Sequence, residues 1–386
     1  MISEKTLADA KFYGKLLAIF FTSDKCNVCD ELFEKISKLQ IAQKFYLIKL
    51  NSIEYLQYTV RYSRGIIPSI GIISPDGRLL GIIESENVDY IEDRLRDIYS
   101  NRDKIVGILP TVPQRVEDVN PVEFYDILNY AIDGNPIDFR GVEFLKFYSR
   151  LHKEYEKILK LVTPADPVAD FLLSGKKPNL DEKYTSNLAL NVILGIETDE
   201  YSKKLMERIK EDGSVVRSSR KEVSGLLIDQ AMVGNALLTL YQNSFNDSYL
   251  SLAIKVAEWT LNNLADNLGF RDCKAENDLV KLPVYEPIAN SEAAIFFARL
   301  WAVTDDQKHL ENAKKAMNIS YTLGTDIRAL SRVAIAYLKT NELIKSKEKV
   351  PDDIRVEIVK DNGCQGLEFK FKDKCYKSID EIKSTI

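Results

Sequence analysis

The sequence predicts two domains of different class: an α/β domain followed by an all-α domain of helical hairpins. Three observations support this prediction. In the first hundred residues, apolar runs of strand length alternate with amphipathic stretches, as they do in α/β folds. Residues 122–342, in contrast, carry almost no strand pattern. Part of this second region also repeats after 60 residues, which is typical of stacked helical hairpins.

The α/β domain begins with a buried strand at 16–22, followed by a helix at 30–38. Further along, the turn sequence Ser74-Pro75-Asp76-Gly77 joins two strands into a hairpin. The remaining predicted elements are a strand at 44–50, helices at 53–62 and 88–99, and the hairpin strands at 66–73 and 78–84.

Three prolines, Pro110, Pro113 and Pro121, interrupt the periodicity after the α/β domain and indicate a linker. A chain of 386 residues is long enough for two domains and a small third piece. The predicted divisions are an α/β domain at 1–103, a linker at 104–121, a helical domain at 122–342 and a C-terminal segment at 343–386.

The clearest helix predicted for the second domain, at 222–242, carries two apolar stripes. Leu226 and Leu237 lie on one stripe, whereas Leu227 and Leu238 lie on the other. A helix of this kind is buried on two sides, as in a layered helical array. The other predicted helices lie at 124–132, 141–161, 187–195, 201–210, 249–264, 291–303, 308–321 and 326–338.

The internal repeat aligns Leu240 and Tyr241 with Leu300 and Trp301. Each copy is predicted to be an antiparallel helix pair joined by a short polar link. Repeats of this length are typical of hairpins that stack into a solenoid or close into a toroid. Because only about nine helices are recognisable, where six hairpins need about twelve, we expect an incomplete α/α toroid.

The C-terminal segment differs from the helical domain in its pattern. Residues 355–360 and 367–371 alternate like strands on either side of Asn362-Gly363, which predicts a small β-hairpin. Cys364 and Cys375 flank this hairpin and form a possible disulfide, a bond that intracellular proteins of hyperthermophiles do contain.

A Cys-x-x-C pair, Cys26 and Cys29, directly follows the first predicted strand and starts the helix after it. Unpaired N–H groups at a helix N-terminus stabilise an anion, so Cys26 would favour its reactive thiolate form. Cys29 lies one turn further along, where it could resolve a mixed disulfide formed by Cys26. A zinc site is disfavoured because Cys364 and Cys375 have the wrong spacing to supply the other two ligands.

The segment Ile66-Ile67-Pro68-Ser69 resembles the Ile-Pro-Thr element of thioredoxins, 42 residues after Cys26. The resemblance implies a thioredoxin-like domain in which Pro68 is cis and shapes the surface beside the cysteine pair. Two departures are visible: Phe20 replaces the buried acid of thioredoxins, and Asn27-Val28 replaces their Gly-Pro. An idle pair in a docking domain therefore stays an alternative to active thiol–disulfide chemistry.

Taken together, the two domains resemble the family of spermatogenesis-associated protein 20 and bacterial YyaL. Those proteins join a thioredoxin-like domain to a six-hairpin toroid of the glycosidase and sugar-epimerase kind. Four segments carry the resemblance: Leu180-Asp181-Glu182-Lys183, Leu227-Ile228-Asp229-Gln230-Ala231, Gly269-Phe270-Arg271-Asp272 and Pro287-Ile288-Ala289-Asn290-Ser291. The family's Cys-His-Trp-Cys-His appears here as Cys26-Asn27-Val28-Cys29-Asp30, and family members are longer between the two domains.

The resemblance implies a substrate-binding cleft in the helical domain that contains Asp229, Asp272, Glu286 and Asn290. Paired carboxylates about 5–10 Å apart are what glycoside hydrolysis requires. The competing interpretation, which we favour, is structural: Asp272 caps a turn, Asp229 bonds a neighbouring helix and Asn290 caps the helix that follows it. Sugar epimerases of this fold use histidines, and the two here, His152 and His309, are better explained by solvation and by packing.

Composition excludes several other classes of protein. A net charge of −5 and a pI near 5.5 argue against a nucleic-acid partner bound through a broad basic surface. No apolar run approaches the roughly 18 residues of a membrane span, and no signal peptide is recognisable. We therefore expect a cytoplasmic protein without a membrane partner, and nothing in the sequence calls for a metal or another cofactor.

The function predicted from the sequence is that of a thiol–disulfide oxidoreductase. Cys26 would attack, Cys29 would resolve, and the partner would be a protein disulfide client or a small-molecule thiol. Two alternatives remain open: a carbohydrate-active or carbohydrate-binding toroid, and a non-catalytic scaffold.

Overall fold

The structure is a computed structural model that describes residues 2–324, 326–366 and 368–384. The chain forms two compact units. Residues up to 112, together with 272–284, make up the N-terminal unit, and residues 113–271 and 285 onwards make up the helical unit.

The first division falls inside the predicted linker, but 272–284 was expected in the helical domain. It joins the N-terminal unit because its residues bond there: Asp272 pairs with Arg61, and the Tyr62 hydroxyl donates to the Leu279 carbonyl.

The N-terminal unit contains a four-stranded sheet with the order β2-β1-β3-β4. Its strands are β1 (Leu16–Thr22), β2 (Phe45–Asn51), β3 (Ser69–Ile73) and β4 (Leu79–Ile83). β2 runs parallel to β1, whereas β3 is antiparallel to both β1 and β4. Every residue of β1 is buried, as expected of a central apolar strand with neighbours on both edges and cover on both faces.

Four helices accompany this sheet: α1 (Glu4–Phe12), α2 (Asn27–Ser37), α3 (Leu56–Tyr62) and α4 (Val88–Asn101), with a short 3-10 helix at Gln40–Lys44. The apolar faces of α2 and α4 pack into one core with β1 and β3. The predicted turn at residues 74–77 connects β3 to β4, and Gly77 there has a φ of 89°, which favours glycine. Helix α1 was not predicted from the sequence.

The helical unit contains ten α-helices among the described residues. They are α5 (Tyr125–Ile132), α6 (Phe139–Leu151), α7 (Pro167–Ser174), α8 (Thr185–Ile193), α9 (Thr198–Met206), α10 (Leu227–Ser244), α11 (Asp247–Leu264), α12 (Pro287–Thr304), α13 (Gln307–Leu323) and α14 (Ile327–Asn341). In the part of the chain that the structure describes, none of the helices is long and apolar enough to cross a bilayer. Shorter pieces are the strands β5 (Pro136–Ile137) and β6 (Thr163–Pro164) and 3-10 helices at Pro121–Phe124, Lys153–Lys160 and Ile379–Glu381.

Five of these helices form an inner series, in which α6, α14, α12, α10 and α8 pack one against the next in that order. Helices α7, α9, α11 and α13 pack on the outside of α6, α8, α10 and α12 respectively. The inner helices α10 and α12 are buried along nearly their whole length, because they contact neighbours on several sides. The helical unit is therefore built in layers of hairpins, as the two-sided apolar pattern predicts.

The predicted repeat corresponds to two consecutive hairpins, α10–α11 and α12–α13. In each hairpin, the inner helix ends at a residue in the left-handed conformation, Phe245 or Asp305. The next residue, Asn246 or Asp306, then caps the outer helix with its side-chain oxygen. These equivalent link residues lie 60 positions apart, so the repeat extends to the backbone of the links.

Two predicted helices are shorter in the structure. The helix predicted at 141–161 ends at Leu151, and a 3-10 helix follows from Lys153. The helix predicted at 222–242 begins only at Leu227, because Gly225 has a φ of 73°, which is not helical. A side chain at position 225 would also meet the Trp259 ring. Apolar periodicity continues through both interruptions, which explains why the pattern alone did not reveal them.

The C-terminal segment forms a second four-stranded sheet in the order β10-β9-β7-β8. Its strands are β7 (Ile344–Ser346), β8 (Val356–Ile358), β9 (Phe369–Phe371) and β10 (Lys374–Tyr376). The predicted hairpin between 355–360 and 367–371 does not form, because β7 lies between β8 and β9. The hairpin that does form joins β9 to β10. Leu367, predicted to start a strand, lies outside the described residues.

Candidate functional site

The cysteine pair of the N-terminal unit lies at the start of α2, directly after β1. Cys26 and Cys29 form a disulfide, with their Cα atoms 5.2 Å apart. Cys26 is the residue that caps α2, and its Sγ accepts a hydrogen bond of 3.2 Å from the backbone N–H of Cys29. An N–H group of this first turn therefore points towards the sulfur atom that was predicted from the sequence to be the attacking thiol.

The two sulfur atoms differ in their access to solvent. Cys29 is fully buried in the apolar core of the unit, whereas Cys26 is partly exposed and packs against the edge of the same core. Lys25, just before the pair, is exposed. A disulfide partner arriving from solvent could therefore reach Cys26 and not Cys29.

Pro68 belongs to the same edge of the sheet as the cysteine pair. Ser69, which begins β3, lies opposite Phe21 near the end of β1, so Pro68 and the residues that follow β1 leave the sheet on one side. The Ile67–Pro68 peptide bond is cis, and Ile67 packs against the apolar core that contains Cys29. The topology thus brings the three predicted residues Cys26, Cys29 and Pro68 to one end of the sheet.

Phe20 occupies the position of the buried acid of thioredoxins. Phe20 is fully buried, and its ring contacts the ring of Phe33 at 5.4 Å between centroids. Lys49, the partner of Phe20 on β2, lies 5.2 Å from the Phe33 ring and bonds Asp30 in the first turn of α2 at 2.5 Å. Sequence reasoning missed Lys49, although the parallel register of β1 and β2 places it beside the cysteine-bearing turn.

Three of the predicted sugar-site residues lie in the helical unit, and each bonds within the protein. Asp229, in the first turn of α10, is fully buried and pairs with Arg217 at 2.7 Å. Asn290 accepts from the backbone N–H of Phe270 and donates to its carbonyl, at 2.9 and 2.8 Å. Glu286 caps α12 by accepting from the Ala289 N–H at 2.5 Å. The cap predicted for Asn290 is formed by Glu286 instead, because α12 begins at Pro287 and Asn290 lies within its first turns.

The fourth residue, Asp272, belongs to the N-terminal unit and not to a cleft of the helical unit. Its two carboxylate oxygens accept from the guanidinium of Arg61 at 2.5 and 2.7 Å, and both side chains are buried. Arg61 also donates to the Leu282 carbonyl. The motif likeness around Asp272 could not reveal this pairing, since Arg61 lies 211 residues away in the chain.

Charged side chains fill the space between the inner helices of the helical unit. Glu292 of α12 is fully buried and accepts from Arg140 of α6 and from Arg332 of α14, while Asn235 of α10 donates to it at 3.0 Å. Arg332 also bonds Asp138 at 2.5 Å. Burial acts to raise the pKa of Glu292, but the two guanidinium groups outweigh it and lower that pKa. We call these five residues, Asp138, Arg140, Asn235, Glu292 and Arg332, the central ionic cluster; they bond to one another within the helical unit.

A second buried group of charges lies where β8 meets the inner helices. Glu357 of β8 accepts from Lys339 at 2.6 Å and from Gln242 at 2.5 Å, and it lies 3.3 Å from Arg299. Burial opposes the ionised carboxylate, but attraction to Lys339 and Arg299 prevails and lowers the pKa of Glu357 to about 2. This ion pair therefore anchors the C-terminal sheet to α10, α12 and α14.

The C-terminal sheet carries the second disulfide, between Cys364 and Cys375, whose Cα atoms are 5.9 Å apart. Cys364 is buried, whereas Cys375 on β10 is exposed. Neither cysteine lies at the start of a helix. Across the described ranges of the chain, no group of three or more His, Cys, Asp and Glu side chains is arranged to hold a metal ion.

The fold and these contacts define a largely helical protein with small sheets and an N-terminal cysteine pair at a helix start. The sequence matches no known family model and no curated protein. Among solved structures, a GH76 α-mannanase from Bacteroides thetaiotaomicron is similar, with a TM-score of 0.37 and 14% identity. The match covers 57% of this chain and 80% of the mannanase chain. The resemblance to the family of spermatogenesis-associated protein 20 and YyaL thus rests on sequence motifs alone.

Proposed function

We propose that the protein is a thiol–disulfide oxidoreductase whose N-terminal unit is thioredoxin-like. One observation carries this proposal: a partly exposed Cys26 caps α2 and accepts a backbone N–H bond, with a buried Cys29 bonded to it. The order of strands and the position of Pro68 beside the pair support the thioredoxin-like assignment. The bonded pair corresponds to the oxidised state of such an enzyme.

In the reaction, the Cys26 thiolate of the reduced pair attacks one sulfur of a substrate disulfide. A new bond forms between Cys26 and that sulfur, and the other substrate sulfur leaves as a thiolate that takes a proton from water. Cys29 then loses its proton and attacks the Cys26 sulfur, which releases the second substrate thiol and forms the Cys26–Cys29 disulfide. The two electrons lost by the cysteine pair reduce the substrate.

The surroundings of each sulfur support the role proposed for it. The Cys29 N–H, in the first turn of α2, points at the Cys26 sulfur, where it would stabilise the negative charge of a thiolate. Cys29 lies in apolar surroundings with Phe20 in place of a buried acid, and such surroundings disfavour its thiolate. We therefore expect resolution by Cys29, and not attack by Cys26, to limit the rate.

Trapping of the mixed disulfide tests the proposal on the full-length protein. Reduced Cys29→Ser protein, mixed with a peptide disulfide, should accumulate one peptide covalently bound at Cys26, as read by mass spectrometry. Cys26→Ser should accumulate none, and Cys375→Ser, as a matched change at the other disulfide, should reduce the peptide as the wild type does. An equal yield of adduct in Cys26→Ser protein would refute the assignment.

A second candidate function, carbohydrate binding by the helical unit, is favoured by one specific observation. A cavity of about 730 Å³ lies beside the N-terminal end of α14 and combines Tyr130 with three carboxylates and one amide. Its lining includes Asp126, Asn129, Asp133, Asp326 and Arg328. Calorimetry against a panel of mono- and oligosaccharides tests this candidate: binding should weaken in Tyr130→Ala, and an absence of heat across the panel would exclude it.

A further inference from the structure

Helix α3 of the N-terminal unit leads directly into the loop that carries Pro68. The helix ends at Tyr62, and residues 63–68 connect it to β3. We call residues 63–68 the Pro68 loop. Ile67, in this loop, packs against the same apolar core as the cysteine pair. A displacement of the loop would therefore change the surface beside that pair.

The segment 272–284 bonds to the last two residues of α3. The carboxylate of Asp272 accepts two hydrogen bonds from the guanidinium of Arg61, at 2.5 and 2.7 Å. The hydroxyl of Tyr62 donates to the Leu279 carbonyl at 2.7 Å. Arg61 and Tyr62 are both buried. Because a bidentate pair of this kind fixes orientation as well as distance, the segment holds the C-terminal end of α3 in place.

Two contacts connect the end of α3 to β3, on the far side of the Pro68 loop. The hydroxyl oxygens of Ser63, which follows α3, and Ser69, which begins β3, lie 3.2 Å apart and share a hydrogen bond. The backbone carbonyl of Tyr62 packs so closely on β3 that a Cβ at Gly71 would lie 2.5 Å from it. The position of α3 therefore determines where both ends of the Pro68 loop lie.

We propose that Asp272 and Arg61 are positioning residues for the cysteine pair: their ion pair fixes the end of α3, and α3 fixes the Pro68 loop at the end of the sheet that carries Cys26. This inference rests on the proposed oxidoreductase function. The loop would contact a disulfide that arrives at Cys26, whereas Cys29 attacks from within α2 once the substrate is bound. Loss of the ion pair should therefore weaken capture of the substrate and leave resolution unchanged. Small displacements suffice, since about 1 Å can cost about a hundredfold in rate.

The variant Asp272→Asn tests this role in the full-length protein, because it keeps the size of the side chain and removes the charge that pairs with Arg61. We expect the KM for a peptide disulfide to rise about tenfold while kcat stays within about twofold of the wild type. Hydrogen–deuterium exchange of the backbone amides at 63–68 should become faster.

The matched control is Asp353→Asn in the helical unit. Asp353 also forms a buried bidentate pair with an arginine, Arg355, at 3.0 and 2.8 Å. This variant should lose stability, because it weakens a comparable ion pair, but it should keep the KM and the exchange rates at 63–68 of the wild type. Comparison of the two variants therefore separates positioning of the Pro68 loop from a general loss of stability.

A second variant, Tyr62→Phe, decides the question if Asp272→Asn does not fold. It removes the hydroxyl that bonds the Leu279 carbonyl but keeps the ion pair of Arg61, so KM should rise less, by about threefold. Unchanged exchange at 63–68, or an equal rise in KM in Asp353→Asn, would overturn the proposal. A wild type that reduces no disulfide would refute the oxidoreductase itself. A reducing wild type with the same KM in every variant would refute the positioning role alone.

Discussion

The two units differ in how far their reactive and charged groups are exposed to solvent. In the N-terminal unit, Cys26 is partly exposed at the start of a helix. In the helical unit, Glu292 and Glu357 are almost fully buried and bonded to cationic or amide groups from neighbouring elements. A group that must react with a partner needs access, whereas a buried and fully paired charge mainly fixes the geometry of its surroundings. The comparison supports the proposal that chemistry takes place in the N-terminal unit, whereas the buried charges at the centre of the helical unit fix its structure.

The largest expected effect comes from breaking the central ionic cluster. Glu292→Ala leaves Arg140 and Arg332 buried without their shared carboxylate, which should lower the free energy of unfolding of the helical unit by about 3–5 kcal/mol. Both tryptophans lie in this unit, so urea unfolding followed by tryptophan fluorescence reports on it. Glu311→Ala, an exposed change on α13, should alter stability by less than about 0.5 kcal/mol. Equal effects of the two changes would contradict a structural cluster.

Lowering the pH should reveal how much the ionised Glu357 carboxylate contributes to the free energy of unfolding. The pKa of this carboxyl is lowered in the folded protein from 4.5 to about 2, so its stabilisation is complete above pH 4.5 and is lost as the pH falls through 2. The shift corresponds to about 3 kcal/mol. Urea unfolding across this pH range should therefore show a steeper loss of stability in the wild type than in Glu357→Gln. Parallel pH profiles would show that the folded-state pKa is not lowered.

A change at the second disulfide, Cys364–Cys375, tests whether this bond only stabilises the fold or also takes part in disulfide exchange. Cys375→Ser opens a loop with a sequence separation of 11 and should lower the free energy of unfolding of the helical unit by about 2–3 kcal/mol, because the unfolded chain becomes less constrained. The rate of disulfide reduction should stay unchanged. The measurements are urea unfolding under non-reducing conditions and a peptide-disulfide reduction assay. A large loss of reductase activity in this variant would mean that both cysteine pairs take part in exchange.

Sequence reasoning succeeded where local pattern determines structure. The strand predicted at 16–22 coincides with β1, and the helices of the 60-residue repeat lie within a few residues of α10 to α13. Helix α7 was missed, although Asp166 caps it and Pro167 occupies its first turn, a recognised start signal. The C-terminal strand pairing was also missed, because the three residues of β7 are too few to show a period.

The polar partners could not be predicted, because they depend on distant parts of the chain. Asp272 was placed in a sugar site from a local motif, but the structure pairs it with Arg61. Likewise, no local feature shows that Glu292 would meet Arg140, which lies 152 residues earlier. Cys26 and Cys29 were different: their spacing and the strand before them are local, so their pairing could be predicted from sequence alone.

The inclusion of residues 272–284 in the N-terminal unit has a consequence for synthesis of the protein on the ribosome. The first 112 residues emerge without the segment that supplies Asp272 to Arg61, and this segment follows about 160 residues later. At translation rates of about 5–20 residues per second, the delay is roughly 10–30 s. During that interval Arg61 has no Asp272 to pair with, so the N-terminal unit cannot complete its native contacts co-translationally as an independent domain. Its final folding is tied to synthesis of most of the helical unit.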